Sequence, residues 1–273
     1  MTTTRTAVAI AGAAGRMGRA LIQASAELDG MACVAALEYP GHQALGMDAG
    51  MLAGIEPNQI ILSDDAPGCA NNADVWIEFS IPEPTLEHLA ICVEHKVAMV
   101  IGTTGIDAAG KAAIAQAAKI IPVVFAPNMS VGVTLSFKLI ELAAEILGAE
   151  SDIEIIEAHH RHKIDAPSGT AVRMGEIVAQ ALGRNLEDCA VYGRQGRTGA
   201  RERATIGFET IRGGDIVGEH TVMFAAEGER LEITHRSHTR NNFAYGALRA
   251  ARWLLGREPG LYDMPDVLGL TSR

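Results

Sequence analysis

A glycine-rich loop between a short apolar segment and a helical segment constrains the fold of this chain more than any other feature. Residues 6–11 (TAVAIA) are apolar and partly β-branched, as in a buried strand, and they run directly into GAAGRMG at 12–18. Residues 16–27 carry Ala, Leu and Ile at helical spacing. This succession of strand, glycine turn and helix predicts the first βαβ unit of a parallel sheet.

The same loop predicts a dinucleotide-binding site. Glycines allow the backbone to approach a pyrophosphate, and a helix N-terminus offers unpaired N–H groups and a positive dipole end. A second strand-like run, 31–37 (MACVAAL), ends at Glu38, twenty residues after Gly18, where an acidic side chain would bind ribose hydroxyls. Two alternatives stay open, because glycine turns also serve packing and because Arg16 and Arg19 either approach the phosphates or remain solvated.

Strands and helices continue to alternate through the first half of the chain. Strand-like runs lie at 74–79, 98–101 and 122–126, with helical runs at 83–93 and 107–118. We therefore predict an α/β fold with a Rossmann-like, doubly wound parallel sheet. Ligands of such sheets lie at the carboxyl ends of the strands, which here means the loops 80–82, 102–105 and 127–130.

The loop GTTG at 102–105 places two hydroxyls between two glycines. Thr103 and Thr104 are therefore candidates for contact with a nicotinamide ribose or a substrate carboxylate. A tight turn without a ligand is the alternative interpretation.

After residue 148 the pattern changes to that of a second, α+β domain with an open mixed sheet. A strand is predicted at 152–157, a helix at 169–182, and further strands at 204–212, 216–225 and 230–236. Their hairpin-like spacing predicts antiparallel pairing of consecutive strands. We expect a dinucleotide-binding domain at 1–130 that is completed by 240–273, whose helix 242–255 packs back on it, and a substrate-binding and tetramerisation domain at 131–239.

Composition excludes several classes of protein. Apolar residues make up 48% and charged residues 21%, which argues against disorder, and a net charge of −10 argues against general nucleic-acid binding. No apolar run approaches the roughly 18 residues of a membrane span, and no cleavable signal is recognised, so a cytoplasmic protein is expected. The absence of any CxxC favours reduced packing cysteines at positions 33, 69, 92 and 189.

Cationic and potentially cationic side chains are nevertheless concentrated in one segment, EAHHRHKIDAPSGTA at 157–171. It carries His159, His160, Arg161, His162 and Lys163. The candidates are a metal site, a polyanion-binding patch and an acid/base site for an anionic small molecule. A metal site is disfavoured because an arginine and a lysine would lie beside the ion, and no metal is expected. An anionic ligand is costly to desolvate unless cations and N–H donors replace its water, which this loop and the helix start after it provide.

The combination of motifs resembles the dihydrodipicolinate reductase family over essentially the whole chain. It comprises VAIAGAAGRMGR at 8–19, Glu38, VIGTTG at 100–105, PNMSVGV at 127–133, EAHHRHKIDAPSGTA at 157–171 and GEHTVMF at 218–224. The resemblance implies a cytoplasmic homotetramer of lysine and diaminopimelate biosynthesis. Its implied reaction is the reduction of dihydrodipicolinate, or the 4-hydroxy-tetrahydro hydrate, to tetrahydrodipicolinate with NADH or NADPH.

The resemblance also implies roles for individual residues. It makes His159 and Lys163 the catalytic pair: Lys163 would be the proton donor, and His159 would stabilise charge or relay the proton. The implied ligands of the substrate are Thr104, His160, Lys163, Ser168, Gly169 and Thr170. The implied cofactor contacts are Gly12, Ala13, Ala14, Gly15, Arg16, Met17, Glu38, Gly102, Thr103, Thr104, Ala126, Asn128 and Met129.

Two positions depart from the family pattern and predict a preference for NADH. Tyr39 stands where enterobacterial members carry an arginine for the 2′-phosphate, and Ile81 stands where they often have another arginine. Two other functions remain open: a different nicotinamide oxidoreductase on this architecture, and a dinucleotide-sensing protein without turnover. Neither accounts for the cation-rich loop as well as a dicarboxylate substrate does.

Overall fold

The computed structural model describes residues 5–271 of the chain, which pack as two compact units. The first unit contains the chain up to Val131 and from Arg240 onwards, and the second unit contains Gly132–Thr239. The strands are β1 Thr6–Ala11, β2 Met31–Leu37, β3 Leu62–Ser63, β4 Val75–Glu78, β5 Ala98–Ile101, β6 Pro122–Phe125, β7 Asp152–His159, β8 Ala190–Tyr192, β9 Ile206–Arg212, β10 Gly218–Ala226, β11 Glu229–Ser237 and β12 Gly260–Tyr262. The helices are α1 Arg16–Glu27, α2 Ala49–Ala53, α3 Ala66–Asn71, α4 Pro82–His95, α5 Ala108–Ala117, α6 Val131–Leu147, α7 Gly169–Ala181, α8 Leu186–Cys189, α9 Asn241–Leu254 and α10 Met264–Leu268.

The first unit is built on a seven-stranded sheet in the order β12-β6-β5-β4-β1-β2-β3. Its neighbouring strands all pair in parallel, which confirms the predicted Rossmann-like architecture. Strand β1 lies between β4 and β2, and helices cover both of its faces. Val8 and Ile10 face one apolar cluster with α1 and α9, whereas Ala9 and Ala11 face the other cluster with α4 and α5.

Small residues allow two helices to approach the backbone closely in the first unit. A Cβ at Gly18 would lie 2.2 Å from the Gly12 carbonyl oxygen, so glycine brings α1 against the glycine loop. A Cβ at Gly246 would lie 1.8 Å from the Met129 carbonyl oxygen, so glycine brings α9 against the segment after β6. Substitution at either position forces backbone to move.

The second unit contains a five-stranded sheet in the order β11-β10-β7-β9-β8. Strand β9 is parallel to β7 and β8, while β10 is antiparallel to β7 and β11, so the sheet is mixed as predicted. Helices α6 and α7 contribute Ile140, Met174 and Val178 to the apolar cluster on one face.

One predicted strand pairing is wrong. The segments 204–212 and 216–225 were expected to form a hairpin, but β7 lies between β9 and β10. The connecting loop crosses the carboxyl end of β7, where Gly213 N–H donates to the His159 carbonyl (2.9 Å) and Arg161 N–H donates to that of Gly214 (3.3 Å). These bonds let a short connection bridge two strand spacings.

No helix among residues 5–271 is both long and apolar enough to cross a membrane. The four cysteines are free thiols, and Cys69 and Cys92 are buried. Burial raises the pKa of the Cys33 thiol to about 12 and that of Cys69 to about 11. These two thiols therefore stay protonated and serve packing rather than nucleophilic chemistry.

Candidate active site

The glycine loop of the first unit has the geometry of a phosphate cradle. Gly12 adopts a φ of +62°, a conformation that favours glycine, and Gly15 N–H donates to its carbonyl at 2.9 Å. Gly15 caps α1 without a side-chain hydrogen bond, so no side chain covers the N-terminus of this helix. The first turn of the helix carries the exposed Arg16 and the half-buried Met17, beside the buried Ala13 and Ala14.

The two arginines of α1 differ in role. Arg19 Nε donates to the Ala14 carbonyl oxygen at 2.9 Å and thereby stabilises the conformation of the glycine loop. Arg16 is exposed at the first turn of the helix, where phosphates would lie. Of the two, Arg16 is thus the candidate for direct contact with an anion.

Glu38 follows β2 directly and is 91% buried, with 9% of its surface exposed. Its Oε1 accepts the Ala14 N–H at 2.8 Å, and its Oε2 lies 3.4 Å from the Tyr39 nitrogen. The first bond ties the carboxylate to the glycine loop. It also places the acidic group beside the phosphate cradle, as ribose recognition requires.

A cleft of 540 Å³ opens beside this carboxylate. Gly12, Glu38 and Tyr39 line one side, and Ile81, Glu87 and His88 line the other. Tyr39 and Ile81 expose 66% and 63% of their surface at its rim. None of the described residues that line the cleft is an arginine or a lysine.

The two threonines of the GTTG loop after β5 lie in different environments. Thr103 is buried and its Oγ1 lies 2.9 Å from Thr85 Oγ1, so this side chain holds α4 against the loop. Thr104 is exposed. A Cβ at Gly102 would lie 2.3 Å from the Phe79 ring, which explains the glycine by packing.

The segment after β6 forms a turn between β6 and α6. Ala126 and Met129 are buried, and Asn128 Oδ1 accepts the Ser130 N–H at 2.8 Å. Asn242 of α9 donates to the Ser130 hydroxyl at 3.3 Å. The turn is thereby fixed at the same sheet edge as the glycine loop and the GTTG loop.

A buried carboxylate at the end of β4 was missed by the sequence analysis. Glu78 is fully buried; it accepts from Trp76 Nε1 at 3.2 Å and from Ser80 N–H at 3.0 Å. His88 Nδ1 lies 2.6 Å from its Oε2, at the floor of the cleft. This network holds the loop 80–82 in place.

In the second unit, a buried carboxylate organises the predicted catalytic histidine. Glu157 on β7 exposes 1% of its surface, and its Oε2 lies 2.6 Å from His159 Nδ1. Arg212 binds both oxygens of Glu157 at 2.7 Å, and Ser168 N–H donates to Oε1 at 3.0 Å. Since the carboxylate accepts the Nδ1 proton, it fixes the tautomer in which Nε2 of a neutral His159 is an acceptor.

Burial and charge shift the pKa values of this network in defined directions. Burial alone would raise the pKa of Glu157, but hydrogen bonds from Arg212 and His159 outweigh it and lower the pKa. The pKa of His159 is lowered because burial outweighs its hydrogen bond to Glu157. The network is therefore an ionised carboxylate and guanidinium beside a histidine that is neutral at pH 7.

Ser168 is the N-cap of α7, and both its N–H and its hydroxyl already have hydrogen-bond partners within the protein. Its hydroxyl accepts the Ala171 N–H at 3.2 Å and lies 2.8 Å from His220 Nε2. Burial, followed by the neighbouring His159, lowers the pKa of His220 to about 4. By contrast, the N–H groups of Gly169 and Thr170 have no hydrogen-bond partner among the described residues.

The remaining members of the loop are partly or fully exposed to solvent. Lys163 Nζ lies 2.9 Å from Asp165 Oδ1, and this lysine lowers the pKa of Asp165. Arg161 and His162 are exposed. His160 Nδ1 is buried and has no partner among the described residues. The loop thus presents Lys163 and the start of α7 beside a fixed His159.

Comparison with known proteins identifies the family. A model described as "Dihydrodipicolinate reductase, N-terminus" matches residues 6–129, and one described as "Dihydrodipicolinate reductase, C-terminus" matches residues 132–268. The chain belongs to the dihydrodipicolinate reductase family. A relative named 4-hydroxy-tetrahydrodipicolinate reductase, from Pseudomonas fluorescens (strain Pf0-1), is 59% identical over 266 residues, which cover 96% of this chain and 98% of that relative.

Solved structures share the fold of this dihydrodipicolinate reductase family member. Dipicolinate-bound dihydrodipicolinate reductase from Paenisporosarcina sp. TG-14 superposes with a TM-score of 0.75 at 24% identity, covering 96% of this chain and 99% of that one. An amine dehydrogenase from Mycobacterium smegmatis gives 0.62 at 15% identity, with 94% of each chain covered. The likenesses support the architecture of a Rossmann-type sheet with a second, mixed sheet.

Sequence reasoning did not assign roles to several residues of this site. Glu157 opens the cation-rich motif two residues before His159, which places both side chains on the same face of a strand. His220 lies within the GEHTVMF motif. Arg212 has no local sequence signal, since it binds a carboxylate 55 residues earlier in the chain.

The residues present in the first unit fit a dinucleotide, and those in the described chain do not form a metal site. The positive φ of Gly12 and the open N-terminus of α1 suit a pyrophosphate, and Glu38 beside the cleft suits a ribose. Within residues 5–271, no three His, Cys, Asp or Glu side chains cluster closely enough to hold an ion.

Proposed function

We propose that this chain reduces 4-hydroxy-tetrahydrodipicolinate, or its dehydrated form, to tetrahydrodipicolinate with NADH or NADPH in lysine and diaminopimelate biosynthesis. Membership of the dihydrodipicolinate reductase family supports an NAD(P)H-dependent oxidoreductase. The observation that carries the proposal is the loop of the second unit. This loop, together with the helix start that follows it, carries a His159 of fixed tautomer, the cation Lys163 and the free N–H groups of α7.

The first unit is proposed to hold the cofactor. Gly12, Arg16 and Met17 would hold its phosphates, and Glu38 would accept its ribose hydroxyls. The other proposed contacts are Ala13, Ala14, Gly15, Gly102, Thr103, Thr104, Ala126, Asn128 and Met129, of which Thr103 offers backbone groups because its hydroxyl is bound to Thr85. When bound, the reduced nicotinamide supplies the hydride.

The second unit is proposed to bind the two carboxylates of the substrate. Gly169 and Thr170 offer free N–H groups at the start of a helix, where the dipole favours an anion. Nothing lies within 4 Å of a Cβ built at Gly169, so its backbone is open to a ligand. His160 and Lys163 add cationic or donor groups, whereas Ser168 acts mainly as the cap that holds α7. Thr104 is proposed as a further substrate contact.

Lys163 is proposed as the proton donor. Reduction of a conjugated imine leaves negative charge on the substrate, which a proton has to neutralise. Lys163 is a flexible ammonium paired with a half-exposed Asp165, so it can exchange that partner for the substrate. His159, with Nδ1 bound to Glu157, is proposed to stabilise the developing charge or relay the proton through Nε2.

The test is a coupled assay in which the preceding synthase generates the substrate and oxidation of NADH and NADPH is followed separately. Lys163→Ala should lower kcat by about 100-fold or more, with NADH binding nearly intact. Arg161→Ala removes an exposed cation two residues away and serves as the control, with turnover close to wild type. His159→Gln should lower kcat more than it raises KM. Near-normal turnover of Lys163→Ala at saturating substrate would refute the assignment.

We further propose that NADH is preferred. A 2′-phosphate beside Glu38 would meet a carboxylate and remove the hydroxyl donor that this carboxylate accepts. Tyr39 and Ile81 bring no positive charge to the cleft, and Glu87 adds negative charge. Arg16 is the cation nearest in sequence to the phosphate cradle, so NADPH is disfavoured but still used.

A cytoplasmic homotetramer is also proposed. The four free cysteines support a reducing compartment. The edge strand β11 of the second unit is largely exposed, with 41% of Leu231 accessible, and such edges are safest when paired with another copy. A monomer mass by light scattering at micromolar concentration would overturn the tetramer.

A further inference from the structure

Helix α6 carries a continuous apolar stripe that the second unit leaves uncovered. Leu135, Leu139, Leu142 and Ile146 expose 45%, 44%, 51% and 69% of their surface. Their spacing of four, three and four residues places them on one face of the helix. Single exposed leucines are common on protein surfaces, but four on one stripe mark an interaction surface.

This stripe is distinct from the face that α6 already buries. Ile140, Ala143 and Ala144 pack into the apolar cluster of the second unit. Helix α6 is therefore held in place by one face and presents a second apolar face to its surroundings. The core of the second unit is complete without the stripe, so folding of a single chain does not explain it.

Charged residues follow the stripe on one flank only. Lys138 Nζ pairs with Glu141 at 2.6 Å, and Glu145 lies two helical turns beyond Lys138 on the same flank. The opposite flank contains the buried Ser136 and Ala143, which belong to the packed side of the helix. A partner that covers the stripe would therefore meet a positive charge near one end and negative charges towards the other.

The stripe and its charges are complementary to a second copy of themselves in the antiparallel direction. Reversal of the helix about the midpoint between residues 140 and 141 places Leu135 opposite Ile146 and Leu139 opposite Leu142. The same operation brings Lys138 within two residues of the position opposite Glu145, about 3 Å along the helix axis. Two-fold interfaces have this property, since each pair of contacts occurs twice.

We propose that α6 packs antiparallel against α6 of a second copy of this chain, through the stripe and two Lys138–Glu145 pairs. This goes beyond the reductase function and does not depend on it. The exposed sheet edge and the α6 stripe are different surfaces, and a closed tetramer with two-fold axes needs two different two-fold interfaces. The α6 pair supplies one of them.

The first test places charges in the stripe. Leu139→Glu combined with Leu142→Glu buries like charges at the interface and should raise the dissociation constant by about 100-fold or more. Sedimentation equilibrium of the full chain, from nanomolar to micromolar, should show the oligomer mass halved. Leu255→Glu is the matched control, because Leu255 is also 44% exposed but lies at the end of α9, and its mass should stay that of wild type.

The second test uses exposed positions that tolerate substitution. Lys138→Glu or Glu145→Lys replaces two attractive pairs by two repulsive ones and should weaken association by about 10-fold. The double variant Lys138→Glu/Glu145→Lys should restore association to within about two-fold, because the pairs are re-formed with reversed sign. Circular dichroism confirms that each variant is folded.

The outcomes separate this proposal from the others. A wild-type monomer would remove both the homotetramer and the α6 pair. An oligomer whose mass is unchanged in Leu139→Glu/Leu142→Glu, or a charge-reversed double variant that remains as weak as the single ones, would overturn the α6 pair alone. Reductase activity tests the proposed function independently of either.

Discussion

Glu157 and Glu38 are both buried glutamates next to a loop of the candidate active site, yet they are held by different kinds of hydrogen-bond donor. Glu157 is bound at both oxygens by Arg212 and also by His159. Glu38 is bound by the backbone N–H of Ala14, and no arginine or lysine lines the cleft beside it. The charge of Glu157 is balanced by Arg212, so this carboxylate serves to orient neighbouring side chains. Among the described residues, Glu38 is bound only by backbone N–H groups, so its negative charge remains available to attract hydroxyl donors and to repel a phosphate.

The largest effect is expected when the cation of Glu157 is removed. Arg212→Met leaves a buried carboxylate without its cation and should lower the free energy of unfolding by about 3 kcal/mol at pH 7. The folded-state pKa of Glu157 is lowered, so the stabilisation is present above the unfolded pKa of about 4.3 and is lost as pH falls through the folded value. Urea denaturation at pH 7 and pH 4 should show a smaller deficit at pH 4.

A matched control uses an exposed pair in the same sheet. Arg236 binds Glu219 at 3.2 Å, with both side chains substantially exposed. Arg236→Met should change the free energy of unfolding by less than about 1 kcal/mol. If Arg212→Met and Arg236→Met have the same free energy of unfolding, Arg212 is not needed to stabilise the charge of Glu157. The proposed difference between Glu157 and Glu38 would then be refuted.

The next effect concerns His220, which the same network keeps neutral. Its folded pKa of about 4 lies below the unfolded value of about 6.5, so the unfolded state binds the proton first as pH falls. Between pH 7.5 and pH 5, wild type should lose about 2 kcal/mol more unfolding free energy than His220→Gln. Parallel pH dependence of the two proteins in urea denaturation would show that His220 titrates normally.

A third prediction tests the cofactor cleft. Tyr39→Arg introduces a cation beside Glu38 and should improve kcat/KM for NADPH relative to NADH by about 10-fold, mainly through KM for NADPH. Tyr39→Phe keeps the ring and removes only the hydroxyl, so its ratio should stay within about two-fold of wild type. A wild-type enzyme that prefers NADPH by tenfold would point instead to a cation outside this cleft.

The smallest expected effect is that of salt. The 2′-phosphate of NADPH carries extra negative charge, and its proposed partner Arg16 is exposed, so salt should screen the attraction between them. Raising the salt from about 50 to 200 mM should therefore reduce kcat/KM for NADPH about two-fold more than that for NADH. Equal salt dependence would mean that Arg16 does not contact the 2′-phosphate.

The sequence predicted the parts of this fold whose determinants are local. Strands β1 and β2 and helix α1 have the predicted bounds because apolar runs and glycines define them without reference to distant residues. Helix α6 was missed: it is apolar both on its packed face and on its exposed stripe, so its charged residues occupy only one narrow flank and the polar face that identifies a surface helix is reduced.

Determinants that lie far apart in the chain could not be predicted. The spacing of β9 and β10 indicates a hairpin, and nothing near them shows that β7, some 50 residues earlier, inserts between the two. The same holds for Arg212, which is separated from Glu157 by 55 residues. The motif around His159 marked the site, while the network that orients this histidine became visible only in three dimensions.

Helix α9 packs through Gly246 against the Met129 carbonyl. Its position late in the chain also affects the order in which the two units can fold during synthesis. The helix supplies Ala247, Leu248 and Leu254 to the apolar cluster that covers β1, yet it leaves the ribosome more than 200 residues after that strand. The second unit is continuous in sequence and emerges in full before α9 does. A nascent chain therefore has its second unit ready to fold while the first strands of the first unit still lack the helix that covers them, a period in which chaperones would find exposed apolar surface.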